Sequence, residues 1–121
     1  MSGYPPTVRG VLPLNAEASE REALFWELAE DLFVNPAVTR SAMMGFPCLR
    51  INGGFFACVE RSTGNLIVKL PADRVTELVA SDVGTPFAPN GKVFREWMAL
   101  PCTDEDVWVA LIAEAQAFVD G

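Results

Sequence analysis

The fold of this chain is decided by residues 48–60, which read CLRINGGFFACVE. Apolar and polar residues alternate at its start, so Leu49 and Ile51 point to one side of an extended strand and Arg50 to the other. The triplet Asn52-Gly53-Gly54 follows. It is typical of a tight turn, because glycine reaches positive φ without steric cost. The apolar run after this turn predicts a second strand, and the whole stretch therefore predicts a β-hairpin.

Further strands are predicted on both sides of a second turn, Ser62-Thr63-Gly64-Asn65. Residues 66–70 alternate as a third strand, and residues 92–100 predict a fourth, which Pro101 ends. Strands joined by turns this short must be antiparallel neighbours, because a parallel return needs a dozen or so residues. Residues 38–44 are consistent with either a further strand or a loop.

Helical spacing of apolar residues predicts three helices, at residues 16–34, between Pro71 and Gly84, and at residues 103–119. The first is expected to begin at Ser19, with Glu22 completing a capping box, or at Asn15, and the last at Thr103, paired with Asp106. The buried stripe of the last helix is expected to contain Trp108, Leu111, Ile112, Ala115 and Val119.

Antiparallel strands grouped between helices predict an α+β, two-layer sandwich in which three helices cover one face of a sheet of 4–5 strands. The chain has 121 residues, half of them hydrophobic, which suits one domain with a real core. We expect that domain at residues 16–121. Residues 1–15 contain three prolines and little periodicity, and predict a flexible N-terminal arm.

Composition excludes several classes of function. The chain contains no histidine, so it has no His-based general base, no Ser-His or Cys-His nucleophile pair and no His-ligated metal. We therefore expect no enzymatic activity and no cofactor. No apolar run is long enough for a membrane helix, and the N-terminus lacks the pattern of a signal peptide, so a cytoplasmic location is expected.

Charge is distributed unevenly along the chain. The net charge is −7, which disfavours general binding to polyanions, yet residues 40–95 carry seven basic and four acidic residues. Four of the basic residues are the candidate binding residues of a basic face: Arg50, Lys69, Lys92 and Arg95. By strand parity, Arg50 and Lys69 lie opposite the aliphatic stripe, on the face that we expect the helices not to cover, whereas Lys92 and Arg95 have opposite parity and need not share a face. These four residues would offer cations to phosphates or to an acidic partner, or else they are ordinary solvated charges. The aromatic residues Phe56, Phe94 and Trp97 could serve as stacking platforms beside them, but aromatics on strands more often pack in a core.

The three cysteines, Cys48, Cys58 and Cys102, contain no CxxC spacing, so no metal site is expected. An odd number of cysteines in a cytoplasmic chain favours reduced thiols. Cys58 lies in an apolar strand and is expected to be buried. Cys48 and Cys102 lie next to turns, and we expect them to be exposed.

Several short motifs follow one another along the chain: Met44-Gly45-Phe46, residues 49–57, residues 66–71, Pro86-Phe87, Arg95-Glu96-Trp97 and Leu100-Pro101. Together they resemble the N-terminal domain of bacterial TfoX/Sxy-type proteins and the wider MmcQ/YjbR group. The resemblance covers about residues 40–119, and it depends on the order and spacing of these pieces together. It implies a fold like that of type III secretion chaperones. It also implies regulatory roles, since TfoX is linked to natural competence and YjbR-like proteins are described as DNA-binding, but it brings no catalytic residues.

The sequence as a whole predicts a non-enzymatic regulatory or protein-binding module whose partner is another protein or a second copy of the chain. The first alternative is nucleic-acid binding through the basic residues of the central sheet, which the net charge disfavours. The second alternative is a small-molecule pocket between helix and sheet.

Overall fold

A computed structural model describes residues 18–43, 45–101 and 104–121. Its centre is one antiparallel sheet of six strands in the order β1-β2-β3-β4-β6-β5. The strands are β1 (Val38–Met43), β2 (Phe46–Ile51), β3 (Gly54–Val59), β4 (Leu66–Lys69), β5 (Thr85–Pro86) and β6 (Trp97–Leu100). The helices are α1 (Ala18–Leu32), α2 (Ala72–Ala80) and α3 (Glu105–Asp120). The predicted α+β class is confirmed.

The central hairpin is confirmed by β2 and β3. Asn52 and Gly53 form its turn with φ of 51° and 84°, a left-handed pair that suits the twist between antiparallel strands. The register shifts between Leu49 and Arg50, so Leu49 pairs with Ala57 and Arg50 with Phe55. This irregularity lets one more residue of β3 fit against β2.

The sheet has six strands where the sequence predicted 4–5, because two short segments also pair with it. Residues 38–43, which the sequence left open, form β1, and the two residues of β5 pair with Met98 and Ala99. The prediction of a strand from Lys92 was wrong, because β6 begins only at Trp97. The Phe94 amide donates to the Phe87 carbonyl and the Trp97 amide to the Phe94 carbonyl, so residues 92–95 fold back locally. Hydrogen bonding to the neighbouring strand begins at Glu96, whose carbonyl accepts from the Leu70 amide.

All three helices pack on the same face of the sheet and enclose the main core there. Trp108 and Phe25 are its largest fully buried side chains, and the other predicted residues of the α3 stripe are buried or half-buried. The predicted caps were wrong at two positions. Ser19 lies inside α1, and Asp104 instead of Thr103 caps α3, its carboxylate accepting from the amides of Asp106 and Val107.

The start of α1 is held against the β3–β4 turn. The Arg21 guanidinium donates to Asn65 Oδ1 and to the Pro101 carbonyl, both at 3.1 Å. Gly64 lies directly beneath, where a Cβ would come within 2.9 Å of the Ala18 Cα. The contact fixes how α1 lies over the sheet.

The opposite face of the sheet carries a second, smaller cluster. Its buried members are Cys48, Cys58, Ile67, Phe87 and Ala99, and its half-buried members are Met43, Phe46, Phe55 and Trp97. Phe87 comes from the segment that follows β5. No helix in the described ranges lies on this face. The predicted arm, residues 1–15, and the alternative cap Asn15 lie outside those ranges. Within them, none of the helices combines the length and apolarity that a membrane span requires.

Candidate functional site

A groove of about 570 Å³ lies between α2 and residues 86–97, and we call it the α2 groove. Its apolar lining is Ala72, Val75, Val79, Ala80, Pro86, Val93, Phe94 and Trp97. Asp73, Thr76 and Arg95 are the polar side chains that flank this lining. The volume lies in the range of roughly 300–1,000 Å³ found for ligand sites.

One wall of the groove is the segment that was predicted to be a strand. Phe87 is buried and packs edge-to-face against Phe94, with 5.8 Å between the ring centroids. This anchor and the local backbone hydrogen bonds hold Val93 and Phe94 at the groove mouth, where they are 55% and 36% exposed. Two exposed apolar side chains beside a concave apolar surface are typical of a binding site.

The other wall, α2, is fixed by ion pairs on its outer side. Arg74 Nε donates to Glu114 Oε2 of α3 at 2.7 Å, and the same guanidinium pairs with Glu77. Glu114 and Glu77 raise the pKa of Arg74. The clamp ties α2 to α3, while Val75 and Leu78 pack into the main core. Helix α2 is therefore held in place by contacts within the protein and needs no ligand to position it.

The groove rim formed by residues 92–95 is basic. Lys92 and Arg95 are both exposed, and across the described part of the chain no carboxylate lies within ion-pair distance of either one. The adjacent Glu96 pairs with Lys69 at 3.9 Å instead. An anionic group could therefore approach Arg95 without first displacing an internal partner.

The four basic residues of the predicted face fall into two places. Arg50 and Lys69 lie on the sheet face opposite the helices, as strand parity indicated, since their register partners are Phe55 and Trp97. Lys92 and Arg95 lie in the segment before β6, where Arg95 lines the α2 groove and Lys92 directly precedes its lining residue Val93. The structure therefore does not present all four as one surface.

Both cations of the sheet face are already engaged. Arg50 donates to the Gly53 carbonyl through Nε and Nη2, and its guanidinium lies 4.8 Å from the Phe55 ring centroid. Lys69 Nζ lies 5.9 Å from the centroid of Trp97. A base that stacked on either ring would have to displace a cation from it. Of the other predicted platforms, Phe56 is fully buried in the main core and unable to stack on a ligand.

Sequence reasoning missed the α2 groove. It noted Phe94, Arg95 and Trp97 separately, but it placed them on a regular strand, where alternate residues point to opposite faces. The signal that could have found the site is the proline- and glycine-rich run from Pro86 to Gly91 just before an apolar pair. Such a run indicates that the alternation of apolar and polar residues directly after it belongs to a loop and not to a strand.

The cysteines differ from expectation at one position. Cys58 is buried as predicted, but Cys48 is also fully buried, so its predicted exposure was wrong. It belongs to the second cluster, which combines near neighbours in sequence such as Phe46 with distant residues such as Ile67 and Phe87. Cys102 lies outside the described residues. Across residues 18–43, 45–101 and 104–121, no three Cys, Asp or Glu side chains come together in a way that could hold a metal ion.

Comparison with known proteins gives no assignment: no protein-family model matches the chain, nor does any curated protein or solved structure.

Proposed function

We propose that this protein is a non-enzymatic binding module that holds an apolar, acidic segment of a partner protein in the α2 groove. The observation that carries the proposal is the exposure of Val93 and Phe94 at the mouth of an apolar groove. Leaving such side chains in water costs free energy that burial under a partner would recover, at about 25 cal/mol per Å².

The shape of the site favours a peptide segment over a small molecule. Small ligands are usually enclosed, with most of their surface buried. Here two of the apolar lining residues, Val93 and Phe94, are themselves 55% and 36% exposed, so the groove is open to solvent and a ligand would be covered only in part. Segments that dock through a few apolar anchors into an open groove match this arrangement.

The charge of the rim indicates the chemistry of the segment. Arg95 has no carboxylate partner among the described residues, and Lys92 adds a second cation nearby in sequence. A carboxylate of the partner would pair with Arg95. The whole chain has a net charge of −7, which repels an acidic segment at long range, so the attraction must come from the rim itself. It is screened beyond about 8–10 Å at physiological salt.

The nucleic-acid alternative has less support. Its two sheet cations, Arg50 and Lys69, are held over aromatic rings, and Lys69 also pairs with Glu96. The TfoX/YjbR-like resemblance stays a prediction that depends on the sequence motifs alone.

Selection from a display library of random short peptides tests the proposal, with Val93→Ser protein used to deplete binders that do not use the groove. We expect enriched peptides to combine apolar residues with Asp or Glu. In fluorescence anisotropy, Val93→Ser should weaken their binding at least about tenfold, the size of a modest interface hot spot. Arg95→Gln should weaken acidic peptides more than neutral ones.

The matched control is Val109→Ser, because Val109 is also an exposed valine, at 47%, but lies on α3 and does not line the groove. It should leave binding unchanged. Peptides that bind Val93→Ser as tightly as the unsubstituted chain would refute the proposal, and so would a library without enriched sequences. A stable dimer in light scattering that Val93→Ser dissociates would assign the groove to a second copy of the chain instead.

Binding of labelled single-stranded DNA is measured in the same assay. Affinity that falls steeply with salt and is abolished by Arg50→Glu with Lys69→Glu would establish the alternative in place of the peptide.

A further inference from the structure

The two described cysteines are direct partners across the central hairpin. Cys48 of β2 and Cys58 of β3 are paired in the antiparallel register, so their side chains leave the same face of the sheet. Residues opposed in this way have Cα atoms about 4.5–5.5 Å apart. A disulfide needs about 4.4–6.8 Å, so the pair can be bridged without moving the strands apart.

The two thiols differ in acidity. The adjacent Cys58 lowers the pKa of the Cys48 thiol, and the interaction with Cys48 together with burial raises that of Cys58. The Cys48 thiol donates a hydrogen bond to the Phe46 carbonyl at 3.2 Å, a contact that by itself favours the protonated thiol. Because the thiolate is the form that attacks a disulfide, we expect Cys48, whose pKa is the lowered one, to react first.

The cysteine pair lies on the face of the sheet that carries none of the described helices. Both side chains are fully buried there, in a cluster whose outer members are half-buried side chains such as Phe46 and Met43. The neighbour of Cys48 on its other side is Ser41 of β1, the last strand of the sheet. Strands at the end of a sheet open locally at lower free energy than central ones, and such opening would admit a small reagent.

From this geometry we propose that Cys48 and Cys58 form a reversible dithiol–disulfide couple that reacts with low-molecular-weight disulfides such as oxidised glutathione. The Cys48 thiolate attacks one sulfur of glutathione disulfide, which forms a mixed disulfide and releases one glutathione thiolate. Cys58 then gives up its proton to that thiolate and attacks the Cys48 sulfur. The Cys48–Cys58 bond forms and the second glutathione leaves, so two protein thiols are oxidised and one glutathione disulfide is reduced to two thiols. This site is independent of the α2 groove.

Peptide mapping of the unsubstituted chain tests the couple directly. Trypsin cleaves after Arg40, Arg50 and Arg61, which places Cys48 on residues 41–50, Cys58 on residues 51–61 and Cys102 on residues 96–121. The protein is equilibrated with mixtures of reduced and oxidised glutathione, quenched with acid and analysed by mass spectrometry. We expect the linked pair 41–50 with 51–61 to accumulate as the mixture becomes more oxidising, and to disappear when reduced glutathione is restored.

Single variants test the order of reaction. In Cys58→Ala the mixed disulfide with glutathione should accumulate on Cys48. In Cys48→Ala, glutathione should add to Cys58 more slowly than it adds to Cys48 in Cys58→Ala, because burial still raises the pKa of Cys58 after its interaction with Cys48 is lost. Circular dichroism confirms that each variant is folded. The absence of the linked peptides at every glutathione ratio would overturn the couple, and equal reaction of the two single variants would overturn the role of Cys48.

Discussion

The contact between α1 and the β3–β4 turn leads to a sharp prediction for Gly64→Ala. Gly64 has a φ of 76°, and a Cβ there would lie 2.7 Å from the Arg21 Cδ and 2.9 Å from the Ala18 Cα. The left-handed backbone costs an alanine about 1–2 kcal/mol. Crowding in a packed site costs about 1–3 kcal/mol more. It cannot be relieved by a change of rotamer alone, because the Ala18 Cα is a backbone atom. We expect the free energy of unfolding to fall by about 2–5 kcal/mol.

Gly91→Ala is the matched control. Gly91 has nearly the same φ, 79°, but no atom lies within 4 Å of the position of its Cβ. Its substitution therefore measures the backbone cost alone, about 1–2 kcal/mol. Urea unfolding followed by tryptophan fluorescence gives both values, with equal m-values as the check that the two transitions are comparable. A difference between the variants smaller than about 0.5 kcal/mol, the usual scatter of surface substitutions, would refute the docking of α1 on this turn.

Two further predictions concern a helix cap and the alkaline limit of stability. Asp104→Ala should destabilise the fold by about 1 kcal/mol in urea unfolding, because the amides of Asp106 and Val107 lose their acceptor, whereas Asp104→Asn should retain most of the cap. If the asparagine variant is as unstable as the alanine variant, the cap is not the cause. The pKa of Cys58 is raised in the folded protein. As the pH rises, the Cys58 thiol of the unfolded chain therefore loses its proton first, near the ordinary pKa of 9.0. This contribution to stability is therefore complete below that pH and declines as the pH rises above it. The decline should be smaller in Cys58→Ala, and identical slopes above pH 9.0 would contradict the assignment.

The sequence predicted those parts of the fold that depend on neighbours in the chain. The turn at Asn52-Gly53 needs only residues that tolerate positive φ, and the stripe of α3 needs only helical spacing. Both are local properties, and both are confirmed. The class of fold follows from them, because short turns force antiparallel pairing.

The errors have a common physical cause, which is that packing between distant segments overrides a local pattern. Lys92-Val93-Phe94 alternates like a strand, but Phe94 bonds and packs with Phe87, so the segment leaves the sheet. Cys48 lies beside a turn, yet side chains from other parts of the chain bury it.

For the same reason, the sequence indicated some residues of the candidate site but not that they form one groove. Charge counting found Arg95 and Lys92, and aromatic content drew attention to Phe94 and Trp97. Their meeting with Val75 and Val79 of α2 depends on where the helix packs, and no spacing rule in one sequence supplies that.

The two ends of the sheet are unequal, and this has a consequence for self-association. β5 ends one side with two residues, of which Pro86 has no amide hydrogen to donate. β1 ends the other side with six residues in extended conformation. Another strand can add only where a row of unpaired amides and carbonyls is available. Edge-to-edge association of the folded protein should therefore stop at a pair of molecules joined β1 to β1, because the β5 end offers no second site, and Arg40 is the charged side chain of β1 that opposes this pairing.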